Sequence, residues 1–141
     1  AKEMNCNFLR LAHYPHCEQM IRAAEEMGLM VWEEIPCYWA IDWNNPDTYA
    51  SAEQQLEEII TRDRNRANII IWSVANETPK GEARLNFLTK LIDKTRALDN
   101  TRLVAAALLT NYIDRESSRI TVDDQLQDYT DLLCFNEYIL F

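Results

Sequence analysis

Short apolar runs recur along this chain, each closed by polar residues and most followed by a helix-like stretch, and no other feature narrows the fold so far. The runs are residues 7–12 (NFLRLA), 29–32 (LMVW), 69–74 (IIIWSV), 103–108 (LVAAAL) and 132–135 (LLCF). Apolar character on both faces, as in LMVW, marks a parallel strand covered by helices. Between the first two runs, HCEQMIRAAEEM sets Met20, Ile21, Ala24 and Met27 at helical spacing, and Gly28 supplies the left-handed stop. Ser51-Ala52-Glu53-Gln54 has the form of a capping box, which predicts a helix from there through Leu56, Ile59, Ile60 and Asp63 to about Asn65. A third helix is predicted over 82–98, with Leu85, Leu88, Ile92 and Thr95 or Arg96 on one face. Residues 35–49 read as a long loop carrying Pro36, Pro46, Trp39 and Trp43, residues 110–119 as a polar loop, and residues 122–129 as two helical turns. Five strands at intervals of roughly 20 to 40 residues, alternating with helices, predict βα units and a parallel sheet.

The 141 residues carry 48% hydrophobic side chains and only two glycines, so a disordered or fibrous chain is excluded and one soluble globular unit is expected. A formal charge of -9 excludes the basic footprint that duplex nucleic acid or an anionic membrane would require, so neither is an expected partner. No apolar run approaches the ~20 residues of a membrane span, and AKEMN lacks a basic-then-apolar leader, which points to a bacterial-type cytoplasmic protein. Cys6, Cys17, Cys37 and Cys134 are scattered without a C-x-x-C pair, so they are expected to be reduced, buried small hydrophobes.

In parallel β/α folds the chemistry gathers at the C-terminal ends of the strands, where the loops share one opening. Here Arg10, His13 and Tyr14 fall at the end of the first run, Glu33 and Glu34 at the second, Asn76 and Glu77 at the third, and Asn136, Glu137 and Tyr138 at the fifth. An acidic residue on a loop is ordinary surface when it stands alone; four such strand ends together are not. Convergent carboxylates suit glycoside hydrolysis, with one carboxyl protonating the leaving oxygen and another attacking the sugar or activating water. Tyr38, Trp39 and Trp43 offer faces on which a sugar could stack, whereas Trp72 lies inside its run and reads as core. A carboxyl emerging from an apolar strand, as Glu77 does, would be partly desolvated, its pKa raised and its proton kept for the first step.

NFLRLAHYP (7–15), LMVWEEIP (29–36), IIIWSVANE (69–77) and CFNEY (134–138) resemble, in order and spacing, the catalytic (β/α)8 barrel of family-2 glycoside hydrolases. The WSVANE segment followed by a helix, and the N-x-Y strand end, are more similar to the β-glucuronidase branch than to β-galactosidases. The resemblance implies that Glu77 is the general acid/base and that Asn76 binds the sugar 2-hydroxyl. It places Arg10, His13, Glu34, Asn136 and Tyr138 in the substrate pocket, with Trp39 a loop aromatic beside them. Glu33 stands where the family has Asp, and Glu137 alternates away from its neighbours and reads as support. His13, His16 and Cys17 read as positioning groups and not as a metal set; no metal or cofactor is implied.

The family's nucleophile lies in a T-E-[YF]-G-like segment that this sequence lacks, as it lacks the N-x-K residues of the glucuronidase branch and the preceding β-sandwich domains. A full barrel needs about 200 to 250 residues. The expected architecture is therefore a partial TIM barrel of about five parallel strands, residues 1–141 being one piece of a catalytic domain whose ends are Ala1 and Phe141. Its open sheet edges should lead it to self-associate or fray. The expected function is that of part of a retaining glycosidase acting on a carbohydrate substrate, β-glucuronidase-like with β-galactosidase as the other branch. A half-barrel that binds carbohydrate without catalysis is the alternative. A flavodoxin-like domain is disfavoured because no phosphate-cradling glycine loop is present.

Overall fold

A computed structural model describes residues 1–110, 112–114 and 119–136. Its main sheet is parallel and has five strands: β1 (Phe8–Leu11), β2 (Met30–Glu34), β3 (Ile69–Asn76), β4 (Leu103–Leu108) and β7 (Cys134–Phe135), in the order β1-β2-β3-β4-β7. Three helices, α1 (Glu18–Glu26), α2 (Pro46–Asp63) and α3 (Glu82–Leu98), connect the first four strands. The parallel sheet with helices between its strands is what the spacing of the apolar runs led us to expect, and it has the form of the partial (β/α)8 barrel that the resemblance implies.

Strand alternation sorts the sheet into two faces. Val31, Trp72, Val74, Val104, Ala106 and Leu108 point to the helices and join Ile21, Leu56, Ile60, Leu88, Leu91 and Ile92 in one large core. Trp72 is fully buried there, its indole donating to Asp99 Oδ2 at 3.0 Å. The other face carries a smaller cluster of Trp32, Ile71, Ala105 and Ala107, with Cys134 partly buried against it.

The local chemistry explains where the elements begin and end. α1 stops in a Schellman motif: Gly28 at φ 65° donates to Glu25 O and Leu29 to Ala24 O, both at 2.9 Å, a conformation that favours glycine. Only Ile21 and Ala24 of its expected stripe are buried; Met20 and Met27 face solvent. α2 starts five residues before the expected capping box. Asn45 caps it by accepting from Asp47 N at 2.8 Å and Pro46 occupies the first turn, so Ser51 and Gln54 sit inside the helix. α3 has the expected bounds, although its buried face is Arg84, Phe87, Leu88, Leu91, Ile92 and Thr95, while Arg96 reaches out to Asp131.

Other expectations change. Part of the loop foreseen at 110–119 is an antiparallel ribbon of β5 (Tyr112–Asp114) and β6 (Arg119–Thr121). The two helical turns foreseen at 122–129 reduce to a 3-10 turn over Gln125–Tyr129, capped by Asp124. Glu33 and Glu34 belong to β2 and do not follow it. Only Cys37 is buried; Cys6 and Cys134 are half-buried and Cys17 is exposed, all four being free thiols.

Glu33 is a titratable group placed in the helix-side core. It is fully buried, its Oε1 accepts from Arg62 Nη2 at 3.0 Å, and its Oε2 has no partner. Burial, reinforced by the charge of Asp63 and opposed by Arg62 and Arg66, pushes its carboxyl from 4.5 up to about 8. Below the lower value the folded and unfolded chains both hold the proton. Between the two values only the unfolded chain releases it, so stability falls as pH rises across that window. The neutral variant Glu33→Gln should therefore show a flatter decline in Tm between about pH 5 and pH 8 than the wild type; a decline as steep as the wild type's in thermal melts would contradict this.

Candidate active site

The inner face of the sheet ends in a group of polar side chains delivered by different strands. Arg10 comes from β1, Trp32 and Glu34 from β2, Asn76 from β3, and Asn136 immediately follows β7. Arg10, Trp32 and Glu34 reach that face by simple alternation. Asn76 does not: the register passes from Ser73 opposite Ala105 to Asn76 opposite Ala107, so one extra residue is inserted. This bulge turns Asn76 from the helix side to the inner side, a re-aiming that bulges near active sites commonly perform.

Glu34 is 1% exposed and accepts from every side. Arg10 Nε donates to its Oε2 at 2.9 Å and Arg10 Nη2 to its Oε1 at 3.3 Å; Trp32 Nε1 donates to Oε2 at 2.7 Å; His13 Nδ1 lies 2.6 Å from Oε1. A carboxylate only accepts, so His13 carries its proton on Nδ1. The Arg10 guanidinium, stacked 4.9 Å from the Trp32 ring centroid, also donates from Nη1 to Asn136 Oδ1 at 2.8 Å and from Nη2 to Asn76 Oδ1 at 2.6 Å. Asn136 Nδ2 closes the network on Asn76 Oδ1 at 2.9 Å. With that oxygen doubly engaged, Asn76 has its amide donors to present to a ligand.

Glu77 stands one residue beyond β3, half-buried, with its N–H donating to Ala107 O at 2.8 Å. Its carboxylate Oε2 accepts from Trp39 Nε1 at 3.5 Å. Trp39 is brought there by a bridge between Tyr38 and Asn76, which ties the loop after β2 to the end of β3. The His13 ring lies 5.8 Å from that of Tyr38. The strand ends thus present amides and a cation together, with a carboxyl and an indole beside them.

Arg10, His13, Glu34, Asn76 and Asn136 form one network, as their positions at strand ends led us to expect, with Glu77 and Trp39 beside it. Tyr138 and Glu137 lie outside the described residues. Trp43 is not part of the group: its ring meets Phe87 edge-on at 5.2 Å on the helix side. Glu33 points away from the opening, into the helix-side ion pairs. Trp32 was missed, although its place two residues before Glu34, on the same strand face, was a usable signal. His16 contacts Ala12 O and stacks on Tyr14 at 4.9 Å; among the described residues no group of three or more His, Cys, Asp or Glu is placed to hold a metal.

A family model described as "Glycosyl hydrolases family 2, TIM barrel domain" matches residues 1–139. The chain is 30% identical to a β-glucuronidase of Streptococcus agalactiae over 97% of its own length, and 37% identical to a β-galactosidase of Thermoanaerobacterium thermosulfurigenes over 72%. It spans 24% and 14% of those relatives. Among solved structures, a Bacteroides uniformis β-glucuronidase covalently bound to cyclophellitol-6-carboxylate aziridine superposes with a TM-score of 0.81 at 27% identity, over 97% of this chain and 17% of that one.

Removing one member of a buried ion pair strands the other. Arg10→Met should lower the stability of the protein by about 3 kcal/mol, because the buried Glu34 carboxyl would be left with only Trp32 and His13 as partners. Urea denaturation checks this, and a loss below about 1 kcal/mol, the scale of a surface pair, would contradict it.

Proposed function

Because the chain belongs to the glycosyl hydrolases of family 2, through their TIM barrel domain, we propose that it supplies the acid/base side of a retaining, β-glucuronidase-type active site. The observation that carries this reading is the placement of Glu77 directly after the bulged end of β3, next in sequence to Asn76 of the Arg10–Glu34 network and against the Trp39 indole. In the first step Glu77 gives its proton to the glycosidic oxygen while a carboxylate about 5 to 5.5 Å away attacks the anomeric carbon. In the second step Glu77 takes a proton from water as the water oxygen bonds to the anomeric carbon, which breaks the bond to the attacking carboxylate and releases the sugar.

Glu34 is not that nucleophile in this reading, since both of its oxygens are engaged by Arg10, Trp32 and His13. The role falls to a carboxylate on a later strand, the residues 1–141 forming one part of the catalytic barrel. Asn76 is assigned to the 2-hydroxyl, with Asn136, His13, Arg10 and Tyr138 shaping the sugar pocket and Trp39 bordering it. The substrate is a carbohydrate glycoside. No helix among the described residues is long and apolar enough to cross a membrane. Likeness to the Thermoanaerobacterium protein supports a β-galactoside as the second candidate, and assays with aryl glucuronide and aryl galactoside in parallel choose between them.

Phe8, Met30 and Leu103 share the inner face with Arg10, Trp32 and Ala105 and are more than a third exposed. Residues 1–141 alone should therefore associate through this face, and sedimentation of a compact monomer would contradict that.

Glu77→Gln in the full-length protein should cost about 10²- to 10⁴-fold in kcat for glycosides with poor leaving groups. Activated aryl glycosides, which depart without a proton, should lose far less in their first step. An equal loss on both classes would assign Glu77 a structural role instead.

A further inference from the structure

Among the described residues, three other than glycine hold left-handed backbone: Asn5 at φ 57°, Trp39 at φ 55° and Glu77 at φ 49°. Asparagine tolerates that region through its short polar side chain, whereas bulky side chains enter it only where the surroundings impose it. Such positions gather at functional sites. Trp39 and Glu77 are on different elements, yet they meet, and the backbone that imposes both conformations is shared. Asn76 N donates to Cys37 O at 2.8 Å, Trp39 N donates to Asn76 O at 3.2 Å, and Glu77 N donates to Ala107 O at 2.8 Å. The stitch between residues 37–39 and the end of β3 brings the Trp39 indole to the Glu77 carboxylate.

Core packing does not account for Trp39. Its side chain is 64% exposed, the most exposed aromatic among the described residues, and Tyr38 meets it edge-on at 5.7 Å. A large apolar ring is held in water, on strained backbone, against one carboxylate. An acid that protonates a glycosidic oxygen touches the bond to the leaving group, so an exposed face beside that acid meets the leaving group sooner than the sugar, whose hydroxyls face Asn76 and its partners. We propose that Trp39 is a specificity-determining residue: its exposed ring, held beside the Glu77 carboxyl by the indole N–H, is the platform on which planar leaving groups stack. This rests on the reading of Glu77 as the acid/base.

Benzyl and cyclohexylmethyl β-glucuronides test it in the full-length protein, because the two leaving alcohols have similar acidity and differ in whether the ring is planar. Trp39→Ala should lose about tenfold in kcat/KM on the benzyl glycoside, the scale of one aromatic stack, and much less on the cyclohexylmethyl glycoside. Trp39→Phe should keep most of the preference. Trp39→Gly should lose the preference as Ala does while raising Tm, since glycine adopts the same φ without strain. Equal losses on both substrates, or no loss on either, would overturn the proposal. Failure of the underlying reading shows separately: Glu77→Gln would then hydrolyse both glycosides at the wild-type rate, which overturns the proposal whatever the Trp39 variants do.

Discussion

A single guanidinium holds the polar end of this sheet together. Arg10 donates to Glu34, Asn76 and Asn136, so one side chain on β1 joins β2, β3 and the residue after β7 across the width of the sheet. The arrangement follows from what burial demands of a charge. Glu34 lies out of reach of water, and an unpaired carboxylate there would cost several kcal/mol, on the order of 3 to 5. Arg10, Trp32 and His13 each remove part of that cost, and in doing so each is fixed in orientation. The amides of Asn76 and Asn136 are then aimed by a group that is itself aimed. Positioning of this kind, done by rigid strands and supporting hydrogen bonds, is what a site that orients its ligand requires.

The adjacent residues Glu33 and Glu34 show how a strand divides two electrostatic environments. Glu34 looks into the opening and meets donors only. Glu33 looks into the helix layer, where Arg62 bridges it to Asp63 and Arg66 carries the chain of pairs on to Glu18 and Glu25. One cluster organises the site and the other ties α1, α2 and β2 together. The same residue type is met by donors alone on one face and by a donor and a neighbouring acid on the other.

Much of the architecture was legible as pattern. The runs IIIWSV and LVAAAL fall within β3 and β4, and the bounds of α3 follow from its apolar period. What escaped depends on geometry finer than pattern. The start of α2 was set by an asparagine cap and a proline that also look like loop punctuation, so the later Ser-x-x-Gln was the more visible signal. The ribbon of β5 and β6 is too short for alternation to register. At the site, residue types at strand ends pointed to Arg10, His13, Glu34, Asn76 and Asn136. The bulge that turns Asn76 inward left no trace in composition, and neither did the positive φ of Trp39 and Glu77, since both residues are ordinary in helices and strands. Trp32 was hidden because an apolar strand residue gives no hint that its N–H is employed.

The place of a bound sugar relative to Glu77 and Asn76 decides what this site does. A crystal structure of the full-length protein with an uncleaved glycoside measures this directly. The Glu77 carboxyl should lie within hydrogen-bond reach of the glycosidic oxygen, about 2.6 to 3.2 Å, with the Asn76 amide donating to the 2-hydroxyl and the leaving group against Trp39. A sugar bound with Glu77 remote from the glycosidic oxygen, or outside the opening framed by Arg10, Asn76 and Asn136, would contradict it.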